Sequence, residues 1–503
     1  MGDTYDVIIV GGGSAGCVAA ARLSEDPQRK VLLLEAGPDP WPLPELVGDA
    51  DKQTRLLLES EYLQMYPIER SEDGSTYYAL SGRIMGGGSS VNMMSVLRPM
   101  KADLDNWVSL GNPGWSYEKC LPVMKRIESD QDYPDSPIHG NGGPLYVRRD
   151  FKLDMPASPP VEAYLASAYA MGLPQCPDLN VPEPYGVCAS PYNIKDGKRQ
   201  STVVAYLNEA RKRLNLTIVP EAFVQSLVLG GKKAEGVRYQ KNNQLHAATG
   251  NQIVLTAGVY HSPQILMLSG IGPAPDLEKH GIKPVHDLGG IGENYQDHPI
   301  VCMTFEGLRE SREDWMFPRF RLIIRKNPLY DCANFHINMR PPAEVAGLKR
   351  MMAVTAHMLE QRNRGRVFLK SKDPNEMPAV DSQMLEHPED LKAMVEAMYF
   401  IDKMVHQGPA KEFYGHLIQP GSGDDWGRFA RSTYSSYHHG VGTCMMGPAS
   451  DPMAVVDDRL RVHGIDNLWV GDASIMPMVT HANTNLTTIM ISERLSDFVK
   501  EVA

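Results

Sequence analysis

Residues 5–10 read YDVIIV, 11–16 GGGSAG, 17–29 CVAAARLSEDPQR and 30–37 KVLLLEAG. Val7 to Val10 is a short β-branched run suited to a buried parallel strand, and it feeds directly into glycines and a helical pattern. A second apolar run, Val31 to Leu34, ends at Glu35. In a strand–turn–helix–strand unit of this kind Gly11 makes the tight turn, Gly13 lets backbone amides approach a pyrophosphate, and Gly16 lets helix and strand pack closely. The phosphates then sit on the helix N-terminus. Glu35 follows Gly13 by 22 residues, where a carboxylate accepts hydrogen bonds from an adenosine ribose. The unit predicts a dinucleotide-binding α/β domain.

Gly12 to Gly16 also satisfy GxSxG, the nucleophile elbow of serine hydrolases, which would make Ser14 a nucleophile. Ser14 follows the first strand of the chain, whereas an elbow normally stands in mid-sheet, and the hydrolase reading leaves Glu35 without a role. The dinucleotide reading is preferred.

A chain of 503 residues has room for two or three domains, or one large domain with insertions. Its net charge of −11, with no basic block, argues against nucleic acid or an anionic membrane as partner. No apolar run approaches the roughly 18 residues that span a bilayer. The first strand begins almost at Met1, leaving no room for a signal peptide, so a cytoplasmic location is expected. Seven cysteines, at 17, 120, 176, 188, 302, 332 and 444, form no CxxC pair. They are expected to be buried free thiols, with neither a disulfide framework nor a metal site.

Beyond Gly37, residues 81–99, SGRIMGGGSSVNMMSVLRP, form a glycine-rich segment able to lie against a planar ligand, or simply a loop entering a helix. Helical spacing recurs over 103–128 around a GNPGW turn, over Pro160–Met171, over Ser201–Leu214 and over His387–Met404. Residues 133–160, rich in Pro, Gly and Asp, are a candidate boundary. Between 216 and 257 the period changes, and LTIVP, AFVQSLVLG, EGVRYQ and NQIVLTAG read as strands with Gly230 and Gly231 at a hairpin turn. The stretch from Val301 to Ser436 reads as mixed.

Near the C-terminus, Leu468–Val470 is a short strand running into Gly471, Asp472 and Ala473. Such a strand end suits the ribityl or pyrophosphate part of a flavin dinucleotide, so both ends of the chain would meet at one ligand. Residues 433–447, TYSSYHHGVGTCMMG, place His438 and His439 before a glycine turn, and on a strand these neighbours would point to opposite faces. Imidazole is the side-chain base whose unperturbed pKa lies near neutrality. Residues 478–485, MVTHANTN, add His481, Asn483 and Asn485.

Taken together, GGGSAG with EAG, GRIMGGGSSVN, AGVYHSPQILMLSGIG, GENYQDHP, HHGVGTCMMG and NLWVGDASIMP with ANTNL resemble the glucose-methanol-choline family of FAD oxidoreductases, in family order from residue 6 to 490. The resemblance implies an FAD-binding domain, 1–155 with 212–300 and 437–503, and an inserted α+β substrate domain, 156–211 with 301–436, whose antiparallel sheet roofs the flavin. It implies His439 and Asn483 as the catalytic pair. FAD would be held by Gly11, Gly13, Ser14, Ala15, Gly16, Glu35, Ala36, Gly88, Asn92, Met93, Met94, Ser95, Val224, His438, Asp472, Ala473, Asn483 and Thr484. His336, Tyr437 and His438 would line the substrate pocket. Two departures stand out: Val91 occupies the position where some relatives carry a flavin-linking histidine, which implies non-covalent FAD, and His438 replaces the usual aromatic residue. The implied reaction is oxidation of a primary alcohol, aromatic ones included, with O2 or another electron acceptor. A hydroxynitrile lyase of the same family is the alternative.

Overall fold

The computed structural model describes residues 4–309, 319–325, 333–343 and 351–502, so Cys332 lies outside it. In chain order the framing elements are β1 (Thr4–Val10), α1 (Ser14–Leu23), β2 (Val31–Leu34), β3 (Gly186–Ala189), β4 (Leu216–Val219), β5 (Phe223–Gly230), β6 (Lys233–Lys241), β7 (Gln244–Leu255), α2 (Gly258–Leu268), β8 (Pro299–Gly307), β9 (Phe320–Ile324), β10 (Phe335–Ala343), β11 (Met351–Met358), α3 (Pro388–Gln407), β12 (Tyr414–Gln419), β13 (Leu468–Val470) and α4 (Thr484–Lys500).

The first sheet runs β4–β2–β1–β7–β6–β5, with β13 added beside β7. Val7 to Val10 and Val31 to Leu34 are buried throughout, as parallel strands covered on both faces must be. β1 pairs in parallel with β2 and with the second half of β7, and Ile253 to Leu255 pair in parallel with Leu468 to Val470. The first half of β7 turns back on β6 as an antiparallel ladder. That half, QLHAATG, is largely exposed and polar, which is why no strand is predicted before Asn251.

Helix α1 packs against α4. Ser14 Oγ donates to Asn485 Oδ1 at 2.8 Å and Ser492 Oγ to the Ala15 carbonyl at 2.7 Å. Arg22 pairs with the buried Glu493 at 2.8 Å. The two ends of the chain therefore form one body. Between them, the single helix expected over 201–214 is a short one with a π turn at Val203–Leu207, and the glycine-rich segment contains only the turn-length helix Gly88–Val91.

The region read as mixed holds the second sheet, β12–β8–β11–β10–β9–β3, continued by Gln175–Cys176, with Ser435–Ser436 paired to β8. Its registers align two different faces. Val301, Met303, Phe305, Leu322, Ile337, Met339, Val354 and Ala356 fill an apolar core with Met394, Met398, Ile401 and Met404 of α3. The alternate residues, Arg321, His336, Asn338, Arg340, Thr355 and His357, form a polar face. Cys302 belongs to that alternate set and is exposed, unlike Cys17, Cys120, Cys176, Cys188 and Cys444, which are buried as expected.

A buried ionic network ties the loops at 98, 128–149 and 178. His139 bridges Glu128 at 2.7 Å and Asp178 at 2.9 Å, Arg149 joins Asp130 at 2.9 Å to Asp178 at 2.7 Å, and Arg98 caps Glu128. Glu128, Asp130 and His139 are close enough to share an ion. Their charges are instead balanced within the protein by the two guanidiniums and the imidazolium. Burial alone would depress His139, but the Asp178 and Glu128 hydrogen bonds outweigh it and raise the ring to about 9. A raised histidine contributes fully below its unfolded value of about 6.5 and loses that contribution as pH rises through the folded value. The unfolding midpoint should therefore fall between pH 7 and 10, and His139→Leu should cost on the order of 3 kcal/mol at pH 7 and flatten the slope. Equal slopes for the two proteins in a thermal-melt series would refute this role.

Candidate active site

A cavity of about 1690 Å³ runs between the two sheets. That exceeds the roughly 300–1,000 Å³ of ordinary small-molecule pockets and suits a dinucleotide together with a second ligand. At one end it is walled by Glu35, Ala36, Ala222 and Val224, in the middle by Gly11, Gly13, Ser14, Ala15, Gly88 and Asp472, and at the other by Tyr437, His438, His439 and Asn483. Asn92, Met93, Met94, Ser95, Ala473 and Thr484 also line it.

The residues present fit the expected dinucleotide. Gly11 has φ +99, and a Cβ there would lie 2.6 Å from the Thr256 carbonyl oxygen, so the turn itself demands glycine. A Cβ on Gly13 would meet no protein atom nearer than 3.9 Å. Nothing in the protein requires glycine at that position, and the space in front of it is where a pyrophosphate would approach the N-terminus of α1. Gly16 does not face the cavity: its Cβ would strike the Gly11 carbonyl at 1.8 Å, which is the close helix–strand packing expected of it. Glu35 accepts the Gly12 and Gly37 amides, each at 2.7 Å, while burial lifts its carboxyl to about 7 against that pull. Asp472 accepts Gly258 N at 2.8 Å and Ser262 Oγ at 2.6 Å, fixing the start of α2 beside the end of β13. Ser14 bonds Asn485 and the Ser89 amide, and no histidine partners it among the described residues, so the hydrolase reading lacks a base.

At the other end, four side chains form a directed line. Arg321 on β9 donates from one nitrogen to Ser95 Oγ at 2.6 Å and from another to Asn483 Oδ1 at 2.9 Å. A guanidinium only donates, so the oxygen of Asn483 faces Arg321 and Nδ2 faces His439 Nε2 at 3.2 Å. His439 Nε2 is consequently the lone pair and Nδ1 carries the hydrogen, donated to His298 Nδ1 at 3.0 Å. His298, accepting on Nδ1, in turn holds its own proton on Nε2. Asp297 accepts the backbone amides of His298 at 2.7 Å and His439 at 2.9 Å and receives Ser436 Oγ on its other oxygen. Burial raises Asp297 to about 6 and depresses His298 to about 3. Burial first, then the neighbouring histidines and Arg321, holds His439 well below the usual histidine range.

Two expectations are corrected. His438 and His439 do not sit on a strand: pairing stops at Ser436, His438 takes φ +63, and the Ser436 hydroxyl binds its amide at 2.7 Å, so both rings reach the same cavity. The Leu80 amide donates to His438 Nδ1 at 3.1 Å, leaving Nε2 as the N–H. His336 does not line the cavity; it is fully buried, and Asn338 and Arg340, further along the same face of β10, form the wall instead. Asp297 and His298 lie in GENYQDHP, which sequence reading treated as a loop. Arg321 had one available signal, a lone charge inside the apolar run FRLII.

The family profile for GMC oxidoreductases matches residues 5–300 and, for its C-terminal part, 361–492. Choline oxidase of Arthrobacter globiformis is 34% identical over 526 residues, covering 99% of this chain and 94% of its own. Mitochondrial choline dehydrogenase of Homo sapiens is 33% identical, covering 99% and 90%. The crystal structure of pyridoxine 4-oxidase from Mesorbium loti superposes with a TM-score of 0.89 at 28% identity, covering 99% of each chain.

Glu35→Ala removes the acceptor shared by two backbone amides and the predicted ribose contact. It should weaken FAD binding by roughly tenfold to a hundredfold, the worth of a charge-assisted hydrogen bond. Unchanged affinity in a fluorescence titration would contradict that assignment.

Proposed function

This chain belongs to the GMC oxidoreductase family, and from that premise we propose that it oxidises a primary alcohol, aromatic ones included, to the aldehyde, with His439 as base. It is an FAD-dependent oxidoreductase acting on CH–OH donors. The observation that carries the assignment of the base is the line Arg321–Asn483–His439–His298, which puts the lone pair of a neutral imidazole on Nε2, beside the Asn483 amide at the cavity wall. Bound FAD supplies the acceptor for the hydride that leaves the carbinol carbon.

The chain's own residues do the rest. Gly13 to Ala15, Gly88, Asp472 and Thr484 are the proposed cradle of the cofactor, with Glu35 at its ribose. His439 Nε2 takes the hydroxyl proton, and His298, accepting from Nδ1, keeps the ring in the tautomer that this requires. The Asn483 amide, pinned by Arg321, donates toward the oxygen as its charge develops, and a donor already oriented needs no reorganisation in the transition state. His438 gives its lone pair to a fixed backbone amide, that of Leu80, whereas the lone pair of His439 is met by a side-chain amide, Asn483 Nδ2, that an incoming hydroxyl can replace. The final electron acceptor would be O2 or another oxidant, and peroxide release during turnover would tell the two apart. The lyase alternative is not favoured, since choline oxidase, choline dehydrogenase and pyridoxine 4-oxidase, which match over the whole chain, are oxidases and dehydrogenases. The proposed domain division, 1–155 with 212–300 and 437–503 against 156–211 with 301–436, is supported by the distribution of the two sheets along the chain.

Two outcomes test this reading. Val91 lines the cavity where a histidyl link would have to form, and valine has no nucleophilic atom. Acid precipitation should therefore release all the FAD, and colour retained by the washed precipitate would overturn non-covalent binding. His439→Ala should slow anaerobic flavin reduction by about 10² to 10⁴-fold with FAD retained. Because the base must be unprotonated and its pKa is lowered, wild-type reduction should stay level down to below pH 6.5 and decline only in more acid solution. An acid limb at or above that value, or normal reduction in H439A, would remove His439 from the mechanism.

A further inference from the structure

We propose that the substrate is an alcohol carrying a carboxylate or phosphate group, and that Arg340 is the residue that selects it. The inference rests on alcohol oxidation at His439 and deepens it. The cavity wall formed by the second sheet includes Ile300 on β8, Arg321 on β9, Asn338 and Arg340 on β10, and Ser436 paired to β8. Arg321 is engaged by Ser95 and Asn483. Arg340 is half-buried and has no carboxylate paired with it among the described residues. The carboxylates that border the cavity, Glu35, Glu61, Glu221, Glu376 and Asp472, all lie outside β8–β11. Glu35 and Asp472 are already held by backbone amides at the nucleotide half.

Asn338 lies on the same face of β10, two residues before Arg340. It is fully buried and lies in the cavity wall; its Nδ2 is 3.1 Å from His357 Nε2, but Oδ1 has no hydrogen-bond partner among the described residues. A buried carbonyl oxygen left without a donor is destabilising. Position follows from the ring contacts. The His357 ring centroid is 4.3 Å from that of Tyr437, which is 4.2 Å from that of His439. Arg340 stands two residues beyond Asn338, roughly 7 Å along the strand. The proposed substrate would span the cavity from its hydroxymethyl group at His439 to its anion at Arg340, both of which line it.

The electrostatics exclude the opposite charge. The histidines at this end are held neutral by burial, and of the charged residues on this face of the sheet the two guanidiniums border the cavity, whereas Glu306 of β8 does not and is paired with His416 at 2.8 Å. A quaternary ammonium alcohol would meet the two guanidiniums, with no carboxylate of β8–β11 bordering the cavity beside them. A carboxylate or phosphate meets a forked donor matched to its geometry.

The test compares kcat/KM of the holoenzyme for benzyl alcohol, 4-(hydroxymethyl)benzoate, 4-(hydroxymethyl)phenyl phosphate and choline. Both anions should exceed benzyl alcohol by about tenfold or more, choline should be poorest, and the better anion identifies the group for which the site is built. Arg340→Gln should cut the anion-to-neutral ratio by a similar factor, mostly through KM, and Arg340→Lys should restore part of it. Benzyl alcohol or choline matching the anions, or a ratio unchanged in R340Q, would overturn the proposal. If R340Q does not fold, the rank order in the wild type decides alone. Absence of flavin reduction by any of the four alcohols would count instead against alcohol oxidation itself.

Discussion

β7 is paired on one side with β1 and on the other with β13, and the site depends on that double pairing. Val254 lies between Ile9 and Trp469, residues from opposite ends of the chain. Strands 4–10 and 468–470 are flanks of one parallel sheet, and the loops at their carboxyl ends open on the same crevice, the usual place for a ligand in such a sheet. The chain after β13 then returns through Asn483 into α4, whose N-terminus lies beside that of α1. Two helix N-termini consequently face one cavity, where their partial positive charges suit a diphosphate. The glycines of the first turn and the amide beside the base are neighbours only because the chain closes on itself.

This closure was largely legible in the sequence. Val7–Val10, the glycine turn and Val31–Leu34 are local signals whose period and spacing need no tertiary context, and the short strand ending at Asp472 reads the same way. The second sheet was not legible, for a physical reason. FHINMR alternates apolar and polar as a surface strand does, yet both of its faces are buried, one in an apolar core and the other against a cavity that sequence does not display. Helix α3 was easier, since one of its faces meets solvent and its period is clean. His438 and His439 were read with strand alternation because YHH follows a β-like run, whereas the turn that aims both rings inward is imposed by hydrogen bonds to Ser436 and Asp297. Those partners are remote in sequence or silent in period.

The polar face also explains how a base can be kept neutral beside a permanent charge. Arg321 lies near His439 and opposes its protonation, as does burial. The same guanidinium orients Asn483, so one residue lowers the basicity of the imidazole and fixes the hydrogen bond that assigns its tautomer. A base of low pKa is a weaker proton acceptor but is unprotonated over a wider range of pH. The loss in driving force is offset if the alkoxide is stabilised as it forms, and the Asn483 amide with Arg321 behind it is placed to do so. Cations on the second sheet therefore act on the substrate oxygen and on the base in the same direction. Because they are carried by β9 and β10 and not by the glycine turn, the recognition of substrate charge can vary without disturbing the half of the cavity that holds the nucleotide.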